Sequence, residues 1–135
     1  MRSKQDICKE FGAILNGKSE LKNDTCSVHF RRNFKASVQG VPSQSVLPAD
    51  VLFESLDQQG NALNLVEIAL LQEEVPSFLY SVSSQGLIVS ALHNHWLYTD
   101  PVIMYLHIQS VEPPLQFARK MAQAFRFLSS PLISE

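Results

Sequence analysis

The apolar positions fall into two rhythms. Ile7, Phe11, Ile14 and Leu15 recur at helical spacing over residues 4–15, and Asn16-Gly17 supplies a stop. A second helical stripe (Val75, Phe78, Leu79, Val82) lies within Glu73–Gln85, with Pro76 in its first turn and Gly86 as its cap. A third follows Pro113-Pro114 with Leu115, Ala118, Met121, Ala122, Phe125 and Leu128. Between them the rhythm is that of strands: Cys26–Arg31, Phe34–Gln39, Val51–Leu56, Ala62–Leu71, Leu87–His95 and Val102–Gln109. Turn residues separate these runs: Gly40-Val41-Pro42, the 43–50 loop, Asp57-Gln58-Gln59-Gly60-Asn61 and Leu97–Pro101.

The second half therefore reads β-α-β-β-α. A parallel strand–helix–strand unit followed by a hairpin predicts an α+β domain. Its sheet is mixed but mostly antiparallel, with helices on one face. The chain reads as one domain over 1–135, with an N-terminal helix and linker over 1–24 and a core over 25–128.

Length and composition fit that picture. The 135 residues are 45% hydrophobic and 18% charged, enough for one core and a polar surface. No apolar run reaches the ~20 residues of a membrane helix. Neither an export signal nor a lipoprotein cleavage site precedes Cys8, so a cytoplasmic protein with no membrane partner is expected. Cys8 and Cys26 can bridge, but two reduced thiols fit that compartment better.

The distribution of charge narrows the partners. Eight of the eleven Lys and Arg lie within residues 1–35, and none falls between Ala36 and Glu112, where eight acids occur. Such a stretch repels phosphates and predicts no nucleic-acid partner. It suits a metal ion, or a small ligand that is neutral or cationic. The basic spot His29-Phe30-Arg31-Arg32 reads as a solvated strand end. There is no Gly-x-Ser-x-Gly elbow and no glycine-rich phosphate loop.

The candidate chemistry is concentrated at His93-Asn94-His95 and His107. Alternation on a strand puts His93 and His95 on one face. A hairpin turning about Thr99-Asp100 would pair residues whose numbers add to about 200, placing His93 opposite His107 and His95 opposite Tyr105. That face would carry Ala91, His93, His95, Tyr105, His107 and Gln109. The other face, with Ile88, Leu92, Met104, Leu106 and Ile108, would take the helices. Three imidazoles with a carboxylate suit zinc or another divalent first-row ion. Glu67, Glu74 and Asp100 are the candidate acids, the first two as fourth ligand and Glu74 or Glu67 also as general base. Glu74, His93, His95 and His107 are the candidate catalytic set, and Tyr105 a group to orient substrate. In the plainer alternative, the histidines only organise the turn. The contiguous tripeptide is no match to His-Asn-His nucleases, whose three residues are spread over a ββα finger.

Three stretches resemble the LppY/LpqO family, a bacterial domain of unknown function. They are Leu71-Gln-Glu-Glu74-Val-Pro76, Gly86-Leu-Ile-Val-Ser-Ala-Leu-His93-Asn-His95 and Pro101-Val-Ile-Met-Tyr-Leu-His107-Ile. A looser likeness covers Arg31–Gly40, where Asn33 stands in place of the family's acid, and the whole likeness spans about residues 26–128. The resemblance points to Glu74, His93, Asn94, His95 and His107 without attaching a reaction to them. Members are often secreted or lipid-anchored and often hold two copies of the domain. A single copy then implies a homodimer that reproduces the pair.

Overall fold

The computed structural model describes residues 2–135. Helix α1 (Lys4–Leu15) starts where the Ser3 side chain accepts the Asp6 amide at 3.0 Å, and ends where Asn16 turns left-handed. Strands β1 (Ser19–Lys22) and β2 (Thr25–Arg31) form a hairpin. Short strands β3 (Ser37–Val38) and β4 (Val41–Pro42) precede β5 (Pro48–Glu54) and the long β6 (Ala62–Leu71). A single 3-10 turn, Gln72–Glu74, leads into α2 (Val75–Ser84). Then come β7 (Ile88–His93), β8 (Thr99–Asp100), β9 (Ile103–Glu112), α3 (Pro114–Phe125) and β10 (Ile133–Ser134).

The main sheet runs β1-β2-β5-β6-β9-β7, with β10 also beside β2, and every neighbouring pair is antiparallel. The α+β class is as expected, and the expected β-α-β-β-α order is present. Strands β6 and β7 do run parallel on either side of α2. They are not neighbours, because β9 inserts between them. Such a crossover still buries α2, and it gives both long strands antiparallel partners.

One face carries the core. Val28 and Phe30, Val51 and Phe53, Val66, Ile68 and Leu70, and Leu106 and Ile108 meet Phe11, Phe78, Phe117 and Met121 of the three helices. Burying these side chains supplies the main stabilisation of the fold. On the opposite face, the segments 32–47 and 94–102 fold over one end only. There Ala36, Val46, Leu47, Ala69, Ile103 and Tyr105 form a second, smaller cluster. The three-stranded sheet β4-β3-β8 belongs to this cover, which is why Phe34–Gln39 contributes only two paired residues rather than a full strand.

Two expectations are corrected here. The expected linker contains β1, and residues beyond 128 contribute β10. Cys8 and Cys26 are not reduced thiols but a disulfide joining α1 to β2, their Cα atoms 5.6 Å apart. Helix packing brings these two buried positions together, which sequence spacing does not disclose. Among the described residues no helix is long and apolar enough to cross a membrane.

Candidate functional site

The β7–β9 ladder sets the histidine geometry. His93 pairs with Tyr105, and Ala91 pairs with His107, two residues from the expected register. Because the shift is even, the faces are preserved: Ala91, His93, Tyr105 and His107 share the side away from the main core. A bulge between Val89 and Ala91 changes parity below it. Ile88 therefore lies opposite Gln109 on the histidine side, where it is 57% exposed, not on the helix side.

His93 and His107 are diagonal neighbours, and their side chains meet. Their Nε2 atoms are 3.2 Å apart and their ring centroids 5.1 Å. His93 Nδ1 lies 2.8 Å from the carbonyl of Asn94. A carbonyl only accepts, so His93 Nδ1 carries a proton, and Nε2 faces His107. His95 stands beyond the end of β7 and is exposed. Its ring is 5.8 Å from that of His93, 5.4 Å from Tyr105 and 4.4 Å from Trp96. His93 and His107 are thus in contact, and His95 lies beside His93.

Of the acids, Glu67 joins them and Glu74 does not. Glu67 is the direct cross-strand partner of His107 on β6. Glu74 is buried within an ion pair: Arg32 Nη1 and Nη2 donate to its two oxygens, each at 2.7 Å. The amides of Leu71 and Ser129 donate to the same carboxylate at 2.8 Å, and the Ser129 hydroxyl at 2.9 Å. Burial pushes the Glu74 carboxyl up, but Arg32 and the two amides outweigh it and hold it at about 2. A carboxylate with every partner taken, none of them a histidine, is a poor base and a poor ligand. The catalytic and metal roles expected of Glu74 are corrected to a structural one. Asp100 lies on β8, paired with Ser37.

Tyr105 is also committed. Its hydroxyl donates to the buried carbonyl of Val46. Burial raises it to about 12, with Trp96 opposing and the Glu67 charge adding to the rise. The phenol stays protonated and holds the cover down, so it does not orient a substrate as expected.

Sequence reasoning missed two residues. His29 on β2 pairs with Asp50 on β5, and Asp50 pairs with Glu67. All three belong to the open face, so the fourth histidine lies on the same sheet surface as the other three. Its position opposite Arg32 in the strand alternation was the available signal. Reading 29–32 as one basic spot obscured it, for Arg32 is fully buried. Among the described residues no three His, Cys, Asp or Glu side chains bring their donor atoms to one point.

One family model matches the chain: DUF1529, described as Domain of Unknown Function (DUF1259), over residues 9–127. No curated protein and no solved structure matches it.

Proposed function

The chain belongs to the DUF1529 family, and from the geometry of its histidines we propose that it is a binding domain for a divalent first-row metal ion. His93 and His107 are the first ligands, and Glu67, across from His107, and His95, beside His93, would have to turn toward the ion to join them. The carrying observation is the 3.2 Å separation of the two Nε2 atoms. Two nitrogens bound to one zinc at ~2.0–2.1 Å and a tetrahedral angle stand about 3.3–3.4 Å apart, close to the separation of this pair, and an ion would take the place of the proton they share. The hydrogen bond from His93 Nδ1 to a backbone carbonyl is the outer-shell contact that fixes a ligating histidine in its tautomer. No Lys or Arg lies between Ala36 and Glu112, the stretch that carries all of the proposed ligands. An ion held there would polarise a carbonyl or activate water, so hydrolysis of a small ligand is the chemistry it would open.

Protein prepared without a metal-affinity column and stripped with a chelator tests the reading. Added zinc should raise the thermal midpoint of the wild type and leave His107→Ala unmoved. No bound metal and no shift in the wild type would end it.

A second reading is assembly, with the open face covered by a second copy and the histidines structural. It is favoured by Val111, 75% exposed, and Ile88 on the same uncovered sheet face. The Cys8–Cys26 bridge supports an oxidising surrounding for the domain over the cytoplasmic one expected from sequence.

A further inference from the structure

The loops that cover one end of the sheet enclose a depression of about 940 Å³, bordered by parts of residues 31–37 and 42–47 and by Asp100 and Pro101. Small-molecule sites usually measure about 300–1,000 Å³. The walls are tied to one another through the backbone. The Arg32 amide donates to the Leu47 carbonyl at 2.8 Å and the Ser43 amide to the Ala36 carbonyl at 3.0 Å, while Ser37 pairs with Asp100. A cavity held open in this way loses little ordering entropy when it is filled.

The lining defines what would fill it. Arg31 and Lys35 both border the depression. The Arg31 guanidinium is half-buried, and its Nε lies 3.9 Å from Glu135 Oε2, too far for a hydrogen bond. Lys35 enters none of the ion pairs of the described residues. Arg32 differs from both, being spent on Glu74. Asp100 is the one acid among the lining residues, so two cations less one acid leave a single positive charge. That balance suits a monoanion. A phosphate monoester, at about −1.5 to −2, would overfill it and crowd Asp100. The rest of the wall includes Phe34, Leu47, Pro42 and Pro101. Leu47 is buried, and the Phe34 ring is steadied by the Arg32 guanidinium, 5.2 Å from its centroid.

We propose that this depression binds a small organic acid. Arg31 and Lys35 hold its carboxylate, and its apolar body lies against Phe34 and Leu47. The planar guanidinium can take both carboxylate oxygens, and the lysine adds a point charge. None of the proposed metal ligands borders the depression, so the site stands apart from the metal reading.

The test uses three probes of one shape on the full chain, stripped of metal: benzoate, neutral benzamide and phenyl phosphate. Benzoate should bind with a Kd on the order of 1 mM and move the backbone amide resonances of residues 33–47. Benzamide should bind about 10-fold more weakly, and phenyl phosphate no more tightly than benzoate. Arg31→Gln should lose about 10-fold in benzoate affinity, and Lys35→Glu about 5-fold. Lys35 is exposed, so its variant stays informative where Arg31→Gln lowers the thermal midpoint. His93→Ala with His107→Ala should bind benzoate as the wild type does. No benzoate binding, or equal binding of benzamide, would overturn the proposal. So would tighter binding of phenyl phosphate, full affinity in Lys35→Glu, or loss of affinity in the histidine variant.

Discussion

Arg32 and Glu74 show how a single residue's surroundings decide its role. Both are charged, and both are buried. Their two parallel hydrogen bonds tie the chain after β2 to the turn before α2, and Ser129 joins the segment after α3 to the same carboxylate. Removing one partner strands the other's charge, so Glu74→Gln should cost about 3–5 kcal/mol in denaturant unfolding. The pH dependence follows from the same contacts. Glu74 lies at about 2 in the fold, below the ~4.3 of an unfolded chain. Ionised Glu74 therefore stabilises the protein above about pH 5, and this contribution, on the order of 3 kcal/mol, fades as pH falls toward 2. Thermal midpoints recorded from pH 7 to pH 2 should drop more steeply for the wild type than for Glu74→Gln. Gly17 is a second such position. A Cβ there would lie 2.5 Å from the Phe30 ring and 2.6 Å from Val28. Gly17→Ala should lose roughly 1–3 kcal/mol by overpacking, measurable in the same unfolding assay. The sequence marks Gly17 as a helix stop, while its contact with β2 is visible only in three dimensions.

Elements were legible from sequence where their own periodicity was strong. The three helices, β6 and β9 lie close to where the apolar spacing puts them. Local pattern also separated the two faces of β9 correctly, because period-2 alternation survives an even shift in register. It failed at Ile88, where one extra residue in β7 inverts the parity, and no turn residue announces a bulge at Ser90. It overreached at Phe34–Gln39, where only Ser37 and Val38 pair in a sheet and the apolar residues pack into the small cover cluster. Strand order was beyond it, since the insertion of β9 between β6 and β7 depends on long-range pairing. The disulfide is a consequence at the same scale: it staples α1 onto β2 across a loop of 18 residues. Replacing Cys8 and Cys26 together by serine should destabilise the domain by about 3 kcal/mol, and reductant should lower the thermal midpoint of the wild type but not of that variant. An unchanged midpoint would mean that helix packing alone fixes α1.

At the scale of the whole molecule, one sheet has two unlike faces. Three helices cover most of one, while loops cover only one end of the other. The histidines sit where that cover ends, so their neighbours are a fixed wall on one side and an open surface on the other. This is the arrangement of a site that needs access. The open half also carries Leu52, Leu65, Ile88 and Val111, which water does not favour. The metal and assembly readings make opposite demands on this half-face. If a second copy covers it, sedimentation should give twice the 15.2 kDa chain mass. Ile88→Lys with Val111→Lys should then return the protein to one chain by placing four like charges in a self-complementary contact. His93→Ala with His107→Ala should leave the mass unchanged where the histidines serve an ion. If instead the lysine variant keeps the wild-type mass and its zinc-induced thermal shift, the open half-face is an approach to the site and not a contact between chains.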